Sequence, residues 1–182
     1  MGLKKTNAML GLLTIILLLA HIIYQLIAYV MFIYNPLVTK LLAWSCLAVV
    51  AAHAVLSIYI VTSAHDRKLK IGYPKKNLRT VLQRVSAMGI PLILIAHTQT
   101  FRILMSDRGG LIAAGIIQAI FFTSVFTHGG VALSNAFVTL GWLDDMERKK
   151  KIDLFIWILF ALLWLASMVI VGSTYYKIAG SH

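Results

Sequence analysis

Leu41 to Ala64 reads LLAWSCLAVVAAHAVLSIYIVTSA, a run with no formal charge and with one histidine, His53, near its middle. As a helix rising 1.5 Å per residue it covers about 36 Å, enough to cross the roughly 30 Å hydrocarbon core of a bilayer. Four similar runs flank it. One lies within Thr6–Lys40, and the others are Val85–Phe101, Gly109–Leu143 and Leu154–Tyr176. The whole chain is 60% hydrophobic and 13% charged, far from the soluble norm. The expectation is an all-α integral membrane bundle, a single transmembrane domain over residues 1–182. Its five helices are expected at about 8–34, 37–64, 85–105, 111–143 and 154–176. Asn35-Pro36 marks the first turn, because proline is well placed to open a helix. Gly109-Gly110 separates the third span from the fourth. The first span is too long for a signal-peptide core and is read as a retained helix.

Basic residues orient the bundle. Thirteen of the seventeen lysines and arginines fall in the N-terminal tail, the second connection (Arg67 to Arg84) and the fourth (Arg148 to Lys151). Lys40, Arg102, Arg108 and Lys177 fall on the other side. The positive-inside rule then predicts a cytoplasmic N-terminus and an outer C-terminus, in a multi-pass protein of the cell membrane. Topology and anionic membrane lipid account for the net charge of +11 without any nucleic acid.

Each of the first four spans carries one central histidine: His21, His53, His97 and His128. The fifth has none. Ionisable groups at such depth are costly and mark functional sites. Imidazole is a common axial ligand of haem iron, so four of them predict two haem b groups with bis-histidine ligation. Counted from the outer helix ends, His53 and His128 lie 16 and 17 residues in, and His21 and His97 lie 13 and 8 residues in. That suggests an outer pair, His21 with His97, and an inner pair, His53 with His128. Small neighbours stand beside each (Ala20, Ala52 and Ala54, Ala96, Gly129 and Gly130), which suits a flat ring lying close or ordinary helix packing. Gln83 and Arg84 are candidate donors to inner haem propionates, or headgroup anchors. Arg102 and Lys40 are their outer equivalents. Cys46 is the sole cysteine, so no thioether haem attachment by a C-x-x-C-H motif, no disulfide within the chain and no cysteine-ligated cluster can be built from it. His65 and His182 lie where solvation explains them.

The stretch from Tyr73 to His97, with Leu82-Gln83-Arg84-Val85-Ser86 ahead of His97, resembles the Leu-Gln-Arg-x-[Ser/Thr] opening of the third helix in five-helix, di-haem cytochrome b anchors of succinate dehydrogenases and menaquinol:fumarate reductases. Pro36 followed by His53, and His128 followed by Gly141, are similar to that family's second and fourth helices. The resemblance runs over about residues 8–176. Ala132 and Phe126 depart from it, standing where the family usually has glycine and where some members have glutamate.

The resemblance implies that His21 pairs with His97 at the distal haem, and His53 with His128 at the proximal one. It also implies an electron conduit between a membrane quinone, with menaquinone the expected one, and two partner subunits. These are an iron–sulfur subunit and an FAD flavoprotein on the cytoplasmic face, where the dicarboxylate chemistry would reside. The complex could assemble further. Gln25, Tyr29, Gln99, Thr100, Arg102 and Asp107 are candidate quinone contacts near the outer ends of the first and third helices, although a membrane interface also holds such residues. The rival readings are a haem-free scaffold with hydrogen-bonded histidines and a small transporter. The spans show no central carboxylate and no paired broken helices.

Overall fold

A computed structural model describes residues 2–65, 78–104 and 108–180. Within them the chain is helical, with no strand, and forms five helices long and apolar enough to cross a membrane. These are α1 Leu3–Met31, α2 Pro36–His65, α3 Leu78–Leu104, α4 Arg108–Leu140 and α5 Met146–Gly180.

The ends of these helices follow from local chemistry. Asn35 Oδ1 accepts hydrogen bonds from the backbone N–H of Leu37 at 2.9 Å and of Val38 at 3.3 Å, so it caps α2 just ahead of Pro36. The Tyr24 hydroxyl exchanges hydrogen bonds with the Asn35 backbone, tying α1 to the turn. α1 stops at Met31, a little before the expected 34, with Phe32 in the left-handed region at φ 53°. α4 stops at Leu140 rather than at about 143 because Gly141 takes φ 82°. The Trp142 N–H bonds to Phe137 O and the Gly141 N–H to Val138 O, a glycine-terminated helix end.

The larger differences concern α3 and α5. Each starts well before its apolar run, at Leu78 instead of about 85 and at Met146 instead of about 154. In α5, Asp145 accepts from the N–H groups of Glu147 and Arg148 and so caps the helix. The basic run Arg148 to Lys151 therefore forms the first turns of α5 instead of a loop. Arg79, in the first turn of α3, binds Asp153 of α5 through both carboxylate oxygens at 2.6 Å and reaches Ser134 of α4 at 3.3 Å. This fork holds three helices together at one end of the bundle.

α4 is the centre of the bundle, packing on α3, α5 and α1, while α2 packs chiefly on α1. Its phenylalanines form the core with the other helices: Phe121, Phe122 and Phe126 join Ile22 of α1 and Ile156, Phe160, Val171 and Tyr175 of α5. Gly129 and Gly130 let α5 come close. A Cβ on Gly129 would stand 2.6 Å from Phe160, and one on Gly130 would stand 3.2 Å from Trp157. Of the two readings of the small residues beside His128, a close-lying ring or helix packing, these two glycines serve helix packing against α5.

Candidate functional site

The four central histidines sit at two levels of the bundle. From the end that holds the α1–α2 turn, His21 is ten residues before Met31 and His97 seven before Leu104. His53 is seventeen residues after Pro36, and His128 is twenty after Arg108. The observed helix bounds separate the two levels more clearly than the expected ones. Within each level the two rings are near each other, His21 to His97 and His53 to His128.

Three of the four rings have Nδ1 held by an oxygen acceptor. His53 Nδ1 lies 3.2 Å from the Asn7 carbonyl, and Ser57 of the same helix donates to Asn7 Oδ1 at 3.1 Å. Gly11, on the next turn of α1, lies against the His53 ring, where an added Cβ would approach Cε1 to 3.3 Å. His128 Nδ1 lies 3.2 Å from the Gln83 carbonyl and 3.4 Å from Ser86 Oγ. The Ser86 hydroxyl already donates to Leu82 O at 2.6 Å. His97 Nδ1 lies 2.9 Å from Gln118 Oε1, and its ring stacks on Phe121 with centroids 4.3 Å apart.

A carbonyl-type oxygen only accepts, so Nδ1 carries the proton in each of these rings and Nε2 keeps its lone pair. No hydrogen bond engages Nε2 in any of the four among the described residues. His21 differs, because its Nδ1 is buried without a partner. All four rings are half-buried.

This donor set fits axial ligation of haem. A metal-bound histidine ordinarily gives its second ring N–H to a carbonyl or carboxylate, which fixes the tautomer and aims the lone pair. Among the described residues no three protein ligands cluster as a cage for a bare metal ion.

The other expected site residues divide. Gln83 serves His128 through its backbone carbonyl, with its side chain half-buried, and Arg84 is exposed on α3. Lys40 is exposed on α2. Of the quinone candidates, Thr100 and Tyr29 come together: Thr100 accepts from Gln118 Nε2 at 3.0 Å, and Tyr29 interacts with Tyr175, which itself accepts from Gln118 Nε2 at 3.0 Å. Gln25 instead bonds Thr39 of α2 at 3.3 Å, and Gln99 is exposed beside Thr98. The side chain of Arg102, all of Asp107, the connection 66–77 with most of its basic residues, and His182 lie outside the described residues, as does the side chain of His65.

Gln118 and Tyr175 were not among the expected site residues. The one signal for Gln118 in the sequence is an amide inside an apolar run, and Asn135 gives the same signal in the same run. The chain matches no protein-family model, no curated protein and no solved structure.

Proposed function

We propose that this chain is a di-haem cytochrome b membrane anchor, passing electrons between a membrane quinone and the iron–sulfur and FAD-flavoprotein subunits of a succinate:quinone or quinol:fumarate oxidoreductase. The observation that carries the reading is the common state of three central imidazoles, each with Nδ1–H bound to an oxygen and Nε2 left free. The nearness of His21 to His97 and of His53 to His128 supports two sites stacked along the bundle.

In this reading His21 and His97 hold one haem b, and His53 and His128 the other. When bound, haem iron supplies one-electron chemistry at a potential set by its axial ligands and surroundings. The chain's own part is to hold the imidazoles in one tautomer, keep their surroundings apolar and offer donors to the propionates. Arg84 and the Gln83 side chain are the donors proposed for the inner haem. The apolar core around Phe121, Phe122 and Phe126 keeps water from the sites. Tyr29 and Thr100 are the quinone contacts favoured by their shared buried surroundings, with menaquinone the expected quinone. The basic start of α5 and the second connection would face the acidic surface of a partner subunit.

Pyridine haemochrome quantification of the purified protein tests the reading, and about two b haems per chain are expected. Folded protein in membranes with no haem would leave the histidines as inter-helix hydrogen-bonding groups and overturn it. Topology is tested separately. Reporter fusions after Ser63 and after His182 should report the cytoplasmic and the outer side respectively, given the asymmetry of basic residues. Two fusions reporting one side would refute the proposed arrangement of spans.

A further inference from the structure

Among the four central histidines, His97 alone has its Nδ1 held chiefly by a side chain. Its partner, Gln118, is buried at 5% exposure, among Thr100 at 4% and Tyr175 at 3%. The bonding of that amide has one consistent arrangement. The Thr100 hydroxyl donates its single proton to the His97 carbonyl at 2.6 Å, so toward Gln118 it can only accept. The atom facing Thr100 at 3.0 Å must then be the amide nitrogen, whose second hydrogen goes to the Tyr175 hydroxyl at 3.0 Å. Both amide hydrogens are spent, and Oε1 is left facing His97 Nδ1 at 2.9 Å. The proton of the imidazole is thereby required on Nδ1, with Nε2 bare.

Backbone carbonyls hold His53 and His128 in the same tautomer, and no side-chain substitution removes those carbonyls. Gln118 is therefore the place in this chain where the donor strength of an axial histidine is set by a replaceable group. Beside it lies a cavity of about 30 Å³, lined by Gly115, Gln118, Met168, Val171, Gly172 and Tyr175. That is room for about one water, and the cavity opens on the amide and the phenol.

We infer that Gln118 is a positioning residue for His97: through an amide whose orientation Thr100 and Tyr175 lock, it fixes the Nε2-donating tautomer and tunes the reduction potential of the haem shared with His21. The inference rests on the di-haem reading above. Partners of this kind typically change metal affinity or activity by 10- to 100-fold when removed. A tenfold change in the relative binding of ferric and ferrous haem corresponds to about 59 mV for a one-electron couple.

The test is a redox titration of the purified holoprotein, following the two haem components optically in wild type, Gln118→Met, Gln118→Glu and Thr100→Val. Gln118→Met keeps the volume and removes the acceptor, so imidazole donates less strongly and ferric iron is less favoured. One component should rise in potential by the equivalent of about tenfold, while the other stays fixed. Gln118→Glu keeps an oxygen toward Nδ1 and should leave that component at or below its wild-type potential. Thr100→Val frees the amide to rotate and should shift the same component in the direction of Gln118→Met. Equal potentials in wild type and Gln118→Met, with two haems retained, would overturn the role of Gln118 and leave the di-haem reading standing. Equal shifts of both components in Gln118→Met would make the effect a general loosening and overturn it too. Wild-type protein without haem would overturn the di-haem reading itself, and this inference with it.

Discussion

Alanine at His53 or at His128 is expected to abolish one and the same haem component, and alanine at His21 or at His97 to abolish the other. An iron that loses one of two imidazoles cannot keep the low-spin bis-histidine state without a substitute ligand, and the haem content should fall from about two to about one per chain. The pairs follow from where the helices place the four rings. Helix position puts His21 and His97 within ten residues of the α1–α2 end, and His53 and His128 at least seventeen from it. Across the bundle, His21 comes near His97 and His53 near His128. Reduced-minus-oxidised spectra of the four single variants and of the double variants His53→Ala/His128→Ala and His21→Ala/His53→Ala decide the matter. The first double variant should look like either of its parents. The second should lack both components. If His21→Ala and His53→Ala removed the same component, the pairs drawn here would be wrong even with two haems in the protein.

The phenotypes within a pair need not be equal. His53 is supported by Asn7, Ser57 and Gly11, so α1 contributes to a ligand carried on α2. His21 Nδ1 has no hydrogen-bond partner among the described residues, and a buried polar atom left unpaired costs about 1–3 kcal/mol. The geometry therefore leaves His21 the least constrained of the four rings.

The number of helices and their apolar character were legible in the sequence because charge-free runs of bilayer length have few other solutions. The central histidines were legible for the same reason, since an ionisable group stands out against such a background. Their order in depth could be counted, but only to the accuracy of the helix ends. Those ends were the poorest reading: charge-free runs mark what can cross hydrocarbon, whereas α3 and α5 begin before their runs, at Leu78 and Met146, in turns that include charged residues. At α5 the capping carboxylate of Asp145 gave the true start, eight residues upstream of the apolar run. The partners of the histidines were not legible. Asn7 O and Gln83 O are backbone atoms, whose use leaves no trace in residue type, and Gln118 is separated from His97 by 21 positions. For the glycines, sequence adjacency left two readings open. Gly129 and Gly130 stand next to His128 in sequence, and on the helix they point to α5, while the glycine that does lie on a central histidine is Gly11, on another helix.

That packing leads to the second large effect. Gly129→Ala should weaken the α4–α5 contact and, through it, the haem held by His128. The new Cβ would come within 2.6 Å of Phe160 Cε2, closer than real carbon contacts allow, and within 3.3 Å of its Cζ, which is tight. Phe160 has little room to yield, being 4% exposed and set against Phe126 with ring centroids 5.7 Å apart. Overpacking of a well-filled core typically costs about 1–3 kcal/mol, and small residues at helix interfaces in membranes are there to permit such close approach. Thermal denaturation in mild detergent should therefore show a clear loss of stability for Gly129→Ala, and a larger one for Gly129→Val. Relief should come from the other side of the contact, because Phe160→Leu shortens the ring that the new methyl meets. In the Gly129→Ala background it should recover part of the loss, although Phe160→Leu alone is destabilising. If Gly129→Ala melted like wild type, or if Phe160→Leu deepened its defect by its full separate cost, α5 would not be seated on α4 through these residues, and the role of the two glycines beside His128 would return to the haem.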